Sequence, residues 1–289
     1  MRKESVVDGH SNASVPILSL VVGTIGRVAA LEVLLRSLSE QSNPNFEVIL
    51  IDQSKTAEGI EGLVTRFSER FSLIHIVDSG IGLSRARNIG IGTARGRIVG
   101  FPDDDCWYSD SVVNSVIDFF EHNQDSAVLM GMYTEPGLRN PTFPIRPCNV
   151  SFRNVVGRVS SVGMFVSRDL VGPEILRFDE SIGAGTEMPI GEEVDLAFRI
   201  VRSGLKVFYD PSLVVYHSID RQKSQSRKMY MSNRESFWYV IGKNYFPVYS
   251  EYKIAKSIFR GIVGSVPYGF RACTKSMWTG YKRGKRSRS

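Results

Sequence analysis

The sequence predicts an α/β fold with a mostly parallel central sheet flanked by helices, and three observations support this. Short continuous apolar runs, such as residues 17–22 and 46–51, have the length and composition of buried strands. Stretches with apolar residues at helical spacing separate these runs, as in residues 28–38. The alternation repeats at the spacing of βαβ units, which bring successive strands together in parallel.

The first half of the chain alternates strands and helices without interruption. After the second strand, the pattern predicts a helix, a strand, a helix and a strand at residues 59–71, 73–77, 84–94 and 97–101. Ligands of such sheets bind at the carboxyl ends of the strands. Asp52 and the acidic run 103–105 both fall at that edge.

The second half of the chain is less regular and continues into a basic C-terminal segment. Its predicted elements are a helix at 110–121, strands at 127–133 and 164–166, a helix at 192–203, and short strands at 207–209 and 213–216. Proline-rich residues 134–147 predict a loop, and the pattern becomes helical, aromatic and basic from about residue 221. We expect a flexible lead-in at 1–16, a main domain at 17–245 and a helical basic tail at 246–289.

The composition is that of an ordinary globular chain whose positive charge is concentrated at one end. The 289 residues are 42% hydrophobic and 23% charged, which excludes the disordered and fibrous classes. Residues 250–289 carry ten basic residues and one acidic residue, so this segment has a net charge of +9 and residues 1–249 have −3. The function of the mildly acidic main body therefore has to be judged apart from the tail.

Cysteine usage and hydropathy predict a cytoplasmic location. The three cysteines have no CxxC spacing, which argues against a disulfide framework or a structural zinc site. No apolar run of about 18 residues predicts a transmembrane helix, and the polar N-terminus lacks the apolar region of a secretory signal.

The acidic run FPDDDCW at residues 101–107 is the sharpest local feature. Three adjacent carboxylates at the end of an apolar strand repel one another unless a cation lies among them. Asp103 and Asp105 can present oxygens to a hard divalent cation that also holds a diphosphate. A solvated acidic turn is the alternative interpretation.

The loop before this run has the sequence GIGLSRARNIGIGTARGR at residues 80–97. Gly80 and Gly82 allow close approach of the backbone to a ligand, and Arg85 and Arg87 open a helix. A cationic helix start beside an acidic strand end suits a nucleotide with its phosphates. The alternative is a glycine-rich turn that carries surface arginines.

Together, these motifs resemble family 2 glycosyltransferases, which have the GT-A fold with a Rossmann-like, mostly parallel sheet. VVGTIGR looks like the family's first strand and loop, FEVILIDQS like its second strand, and GLSRARNIGIGTARGRIVGFPDDD like its helix and acidic motif. Residues 177–217 look like its acceptor-side motif. The resemblance covers about residues 17–245 and implies a nucleotide-binding half at 17–107 and an acceptor half at 108–245.

The resemblance implies donor-binding roles for residues at the matching positions. Thr24 and Asp52 would contact the base and ribose, and Arg87 would contact the nucleotide. Asp104 would face the ribose or the diphosphate, and Asp103 would also contribute to nucleotide-sugar binding.

The same resemblance implies a site for Mn²⁺ or Mg²⁺. Asp103 and Asp105 would frame the metal-binding DxD pattern, with Asp105 as the first choice of ligand. His217 would complete the metal or diphosphate site. The alternative for His217 is a hydrogen-bonded histidine that follows a strand.

A carboxylate after Gly191 is implied as the catalytic base. The family has Gly-Glu-Asp where this chain has Gly-Glu-Glu, so Glu193 aligns with the base and is one methylene longer. Glu192 is the alternative base, and Asp195 is expected to be a structural or acceptor-side partner. Charge complementing the helix dipole is the purely structural interpretation of these acids.

The resemblance therefore implies an inverting, metal-assisted transfer of a sugar from a nucleotide-diphosphate donor to a glycan or lipid-linked acceptor. A nucleotidyltransferase on a related α/β sheet is one alternative, although VVGTIGR is a poor match to its glycine-rich signature. A nucleic-acid-binding protein is another, prompted by the basic end. It does not explain why carboxylates cluster in the main body.

The tail predicts attachment to the inner face of an anionic membrane. Residues Ile254, Ile258, Ile262 and Val266 recur at helical spacing, interleaved with basic residues, and aromatic residues including Trp278 and Tyr281 follow. Gly261, Gly264 and Pro267 make this helix short and bent. Mixed aromatic, aliphatic and basic groups suit an anionic bilayer surface. The alternative is a helix packed on the main domain with a disordered basic end.

Overall fold

A ten-stranded mixed β-sheet forms the centre of the part of the chain that the structure, a computed structural model, describes: residues 3–5, 15–55, 59–217, 226–245 and 270–287. In chain order its strands are β1 (Lys3–Ser5), β2 (Leu18–Thr24), β3 (Phe46–Asp52), β4 (Ser72–Val77), β5 (Ile98–Gly100), β6 (Cys106–Tyr108), β7 (Ser126–Thr134), β8 (Cys148–Val150), β9 (Met164–Ser167) and β10 (Lys206–His217). Their order across the sheet is β1-β4-β3-β2-β5-β9-β7-β10-β6, and β8 pairs with β10.

Helices cover both faces of this sheet. They are α1 (Val28–Ser39), α2 (Ile60–Ser68), α3 (Leu83–Thr93), α4 (Val112–His122), α5 (Arg168–Ile175), α6 (Glu192–Arg202), α7 (Arg227–Asn244) and α8 (Phe270–Arg286). Alternate residues of the central strands point to opposite faces, as the two-residue period of a strand requires. Val48 and Leu50 pack in one core with α1, α2 and α4, and Ile49 and Ile51 pack in the other with α3, α6 and α7.

The parallel half of the sheet brings the predicted nucleotide-binding residues to one edge. Strands β4, β3, β2 and β5 run parallel, and the register pairs Thr24 with Asp52. Just beyond β5, Asp103 forms an isolated bridge with Gly23. The carboxyl ends of three strands therefore meet where the sequence predicted them to meet, and the predicted α/β class is confirmed.

Several elements differ from the sequence prediction. The two short strands predicted at 207–209 and 213–216 form one strand, β10, with an irregularity between Tyr209 and Val214. Within the predicted flexible lead-in, Lys3–Ser5 pairs antiparallel with β4. Strands of three residues, such as β6 and β8, lack enough residues for a visible alternation, which is why the pattern missed them.

The C-terminal region contains two helices packed closely on one another. A Cβ atom on Gly280 would lie 2.0 Å from the Glu235 carbonyl oxygen, and one on Gly284 would lie 1.9 Å from the Tyr239 carbonyl oxygen. Only glycine lets the backbones of α7 and α8 approach this closely. The predicted amphipathic segment from Ile254 to Val266 lies outside the described residues, and the division at 245 and 246 stays a prediction. No helix in the described ranges has the length and apolarity needed to cross a bilayer.

Candidate active site

The first part of the site is a cavity at the carboxyl ends of β2 and β3. It has a volume of about 320 Å³ and is lined by Thr24, Gln53 and the three aspartates 103–105. Thr24 Oγ1 donates a hydrogen bond of 2.7 Å to Asp104 Oδ2. Both side chains come from strand ends, so the sheet itself holds them in place.

Asp52 lies directly beneath this cavity. It is 1% exposed, its Oδ1 accepts a 2.9 Å hydrogen bond from the Ser54 backbone, and its Oδ2 lies 3.3 Å from His75 Nε2. Burial opposes ionisation, but the hydrogen bonds from His75 and Ser54 lower the pKa of Asp52. The neighbouring Gln53, rather than Asp52, is among the residues that line the cavity.

The glycine-rich loop at residues 80–82 is held against the cavity by polar contacts. Gly82 has a φ of 128°, and its backbone N–H donates a 3.1 Å hydrogen bond to Gln53 Oε1. Arg85 donates two hydrogen bonds of 2.9 Å to Asp78. Hydrogen bonds from Arg85 lower the pKa of Asp78 to about 2, so the pair stays ionised and fixes the loop. Gln53 lies in the quoted motif FEVILIDQS but was given no role, and Asp78 lies outside every quoted motif.

Arg27 contacts the acidic run, and the sequence analysis gave it no role. Its guanidinium pairs with Asp104 and lies 2.5 Å from Asp105 Oδ2. Burial raises the pKa of Asp104, although the hydrogen bond from Thr24 and the charge of Arg27 oppose this. Arg27 is the last residue of the motif VVGTIGR. Three adjacent carboxylates require a nearby positive charge, and this requirement could have pointed to Arg27.

Asp103, Asp105 and His217 come together in space as one cluster. Each offers a ligand atom, and these atoms all lie within 4.8 Å of one another. Two carboxylate oxygens and an imidazole nitrogen are donors that suit Mn²⁺ or Mg²⁺ together with phosphate oxygens. Contact with His217, whose Nε2 lies 3.2 Å from Asp105 Oδ1, lowers the pKa of Asp105 to about 2. The set therefore fits a divalent cation.

Arg87 does not line the cavity, although the resemblance assigned it a direct nucleotide contact. Its side chain is 1% exposed, and the guanidinium donates to Asp103 Oδ1 at 2.9 Å and to Glu192 Oε1 at 2.8 Å. The Phe178 ring lies 5.2 Å below it. Helix α3 directs this residue into the interior, so Arg87 joins the acidic run to the start of α6 instead of facing a ligand.

The two glutamates at the start of α6 have different environments. Gly191 adopts a φ of 99°, which turns the chain into the helix. Glu192 is buried and pairs with Arg87, whereas Glu193 is partly exposed. Both residues line a second cavity of about 420 Å³. Burial and the neighbouring charge of Glu192 raise the pKa of Glu193 to about 8. Glu193 is thus the glutamate whose carboxylate is not held by Arg87.

Asp195 is a buried carboxylate whose contacts are all with other protein side chains in the described part of the chain. It is fully buried, Asn244 donates a 2.8 Å hydrogen bond to its Oδ1, and Lys243 Nζ lies 2.9 Å from the same oxygen. Arg199 donates to its other oxygen at 3.1 Å. These contacts join α6 to α7.

The two cavities adjoin one another. Leu83, Asp103, Ala184 and His217 line both of them. One cavity carries the acidic run and the other carries Glu193, so a molecule in each would meet at Asp103 and His217. The arrangement allows a carboxylate base to face a reacting centre whose leaving group lies on the acidic run.

Comparison with known proteins gives consistent matches. Residues 19–161 match the family model described as Glycosyl transferase family 2. EpsJ of Bacillus subtilis strain 168, described as an uncharacterized glycosyltransferase, is 30% identical over 133 residues, which are 45% of this chain and 38% of EpsJ. The chain spans less than half the length of the curated relatives that it matches.

Solved structures share the fold over most of the chain. S. aureus TarS 1-349 in complex with UDP has a TM-score of 0.63 at 18% identity, covering 88% of this chain and 74% of that one. The mannosyltransferase PcManGT from Pyrobaculum calidifontis, in complex with GDP-Man and Mn²⁺, has a TM-score of 0.62 at 15% identity, covering 96% of this chain and 88% of that one. At these identities the likeness establishes the fold.

Proposed function

Because residues 19–161 match the model of glycosyl transferase family 2 and the chain has the GT-A fold, we propose that it transfers a sugar from a nucleotide-diphosphate donor to an acceptor hydroxyl with inversion. One observation carries this proposal. Glu193 and the acidic run lie on two adjoining cavities that share Asp103 and His217. An acceptor hydroxyl in the cavity of Glu193 can therefore approach the anomeric carbon of a donor held in the cavity of the acidic run.

The donor occupies the cavity of Thr24, Gln53 and the acidic run. Its diphosphate lies at Asp103, Asp105 and His217, the residues that would hold a divalent cation. Such a cation, when bound, neutralises the negative charge that develops on the departing diphosphate. Arg27 adds a fixed positive charge beside Asp104 and Asp105. The nucleotide-bound and Mn²⁺-bound structural neighbours support this assignment.

Glu193 is the general base of the proposed reaction. Its carboxylate takes the proton from the acceptor hydroxyl as that oxygen attacks the anomeric carbon, opposite the leaving diphosphate. Glu192 is held by Arg87 at 2.8 Å and serves as a positioning residue. The contact between Arg87 and Glu192 supports Glu193 as the base and Glu192 as its positioning neighbour.

The pH dependence of transfer tests this role for Glu193. We expect the rate to rise with pH along an acid limb whose apparent pKa lies well above 4.5, because Glu193 acts only when ionised and its pKa is raised to about 8. Initial rates at saturating donor, measured from about pH 5 to 9, give this limb. Because the pKa is raised in the folded state, the free energy of unfolding falls over the same interval, so thermal denaturation at each pH is the control. A rate independent of pH over this range would contradict the assignment.

A panel of nucleotide sugars, assayed with Mn²⁺ or Mg²⁺, tests the activity itself. We expect at least one donor to raise the thermal denaturation midpoint and to release a nucleoside diphosphate slowly by hydrolysis. Chelation of the cation should abolish this release. Release of pyrophosphate from a nucleoside triphosphate and a sugar phosphate would instead identify a nucleotidyltransferase and overturn the proposal.

A further inference from the structure

Helix α8 has a strongly basic, solvent-exposed face within the part of the chain that the structure describes. Its 17 residues include six basic residues and no acidic one. Cys273, Met277 and Tyr281 are buried. The opposite side of the helix consists of exposed residues within about 100° of arc: Lys275, Trp278, Lys282 and Lys285.

Trp278 is the residue that distinguishes this face from an ordinary solvated helix surface. It is 41% exposed, and Lys282 Nζ lies 5.9 Å from the centre of its ring. A large aromatic ring among lysines gains little in water, because much of its apolar area stays hydrated. At a bilayer surface the ring enters the headgroup region while the lysine side chains reach anionic lipids. The combination is therefore suited to a lipid interface.

This face has a fixed orientation because α8 is held firmly on α7. Ser276 Oγ donates a 2.8 Å hydrogen bond to the Met231 carbonyl, and Arg234 Nε donates one of 3.0 Å to the Cys273 carbonyl. Arg283 lies outside the exposed lysine face and pairs with Glu187 at 3.0 Å and Glu235 at 3.1 Å. The close glycine contacts add to this attachment.

Helix α7 in turn lines the cavity that contains Glu193. Phe237 is part of the cavity wall, and Ser236 Oγ donates a 2.5 Å hydrogen bond to the Ile190 carbonyl just before α6. Only α7 therefore separates α8, and any membrane that α8 contacts, from the proposed acceptor cavity. The net charge of −3 on residues 1–249 also means that attraction to an anionic surface is directed through the C-terminal end.

We propose that the exposed face of α8 docks on an anionic lipid bilayer and brings the acceptor cavity to a lipid-linked acceptor. The docking rests on α8 alone, and the assignment of the acceptor class rests in addition on the proposed transfer. The occupant is a lipid surface because the face pairs a large exposed aromatic ring with lysines on a convex helix surface, whereas a nucleic acid duplex is bound chiefly through its phosphate charges.

Co-sedimentation of the full chain with vesicles tests the docking. We expect binding to vesicles that contain about a third phosphatidylglycerol, weak binding to pure phosphatidylcholine vesicles, and release in high salt. Replacing three lysines, in the variant K275Q/K282Q/K285Q, should weaken binding about a hundredfold, because each charge near such a surface contributes about a fivefold factor. Trp278→Ala should weaken binding at constant charge.

The matched control is R66Q/R97Q/K206Q, which removes the same charge from exposed positions outside α8 and should bind like the wild type. Equal vesicle binding by the α8 variant and the control would overturn the proposal, as would binding to an oligonucleotide but not to vesicles. Donor hydrolysis by the α8 variant should stay at the wild-type rate. Loss of vesicle binding with intact hydrolysis supports the docking, whereas absence of hydrolysis in every variant overturns the transfer and leaves the docking result readable.

Discussion

Replacing Glu193 with glutamine is expected to lower the rate of sugar transfer by about 10²–10⁴-fold or more, while the nucleotide-sugar donor still binds. Glutamine has nearly the shape of glutamate but cannot accept the proton of the acceptor hydroxyl. The donor cavity, lined by Thr24 and the acidic run, is left unchanged. Transfer kinetics together with donor-induced thermal shifts separate the two effects.

The stability of the Glu193→Gln variant provides an internal check. Burial raises the pKa of Glu193, so the ionised form destabilises the folded state as pH rises from the ordinary value of 4.5 towards about 8. The variant should therefore be more stable than the wild type near neutral pH and similar near pH 4. Glu121→Gln, an exposed change on α4, should alter neither activity nor stability.

Glu192→Gln separates the two glutamates. It removes one of the two carboxylates that pair with buried Arg87, the other being Asp103, and weakening this buried ion pair destabilises the folded state. We expect a destabilised protein whose folded fraction retains more activity than Glu193→Gln. A folded but inactive Glu192→Gln alongside an active Glu193→Gln would move the base by one position.

Replacing Asp105 with alanine is expected to abolish detectable transfer and the binding of Mn²⁺. Asp105 contributes one of the three clustered ligand atoms and also pairs with Arg27 and His217. Without it, the charge of the departing diphosphate loses its compensation. The Mn²⁺ electron paramagnetic resonance signal reports metal binding independently of activity.

Two further variants make the Asp105 result interpretable. Asp105→Asn keeps the size of the side chain and should also lose Mn²⁺ binding, which answers the case in which the alanine variant fails to fold. Asp125→Ala, an exposed aspartate paired with Lys206, should bind Mn²⁺ and transfer sugar like the wild type. Full turnover by Asp105→Asn in excess chelator would contradict the proposed site.

The sequence predicted the fold of residues 17–107 well because the signals there are local. Buried strands such as β2 and β3 are continuous apolar runs, and the strand ends placed Thr24, Asp52 and the acidic run at one edge. Asp103, Asp105 and His217, proposed as ligands from the resemblance, do come together. Pairing of elements far apart along the chain was harder to predict. Nothing in the pattern of β10 indicates that its two halves join into one strand.

The sequence alone could not predict whether a given side chain faces a cavity or the protein interior. Arg87 was expected to contact the nucleotide, but α3 turns it into the interior. Arg27 was quoted within a motif without a role, although it pairs with two of the three aspartates. The resemblance aligned Glu193 with the base and left Glu192 as the alternative, and the structure adds that Arg87 contacts Glu192.

The buried guanidinium of Arg87 makes the two halves of the site thermodynamically dependent on each other. One arm reaches Asp103, on the side of the departing diphosphate, and the other reaches Glu192, next to the base. Anything that draws electron density from Asp103 alters the attraction that Arg87 exerts on Glu192, and hence the proton affinity of Glu193. By reciprocity, occupation of the acceptor side must change the affinity of the donor side by the same factor. A single buried arginine thus links the occupancy of one cavity to that of the other.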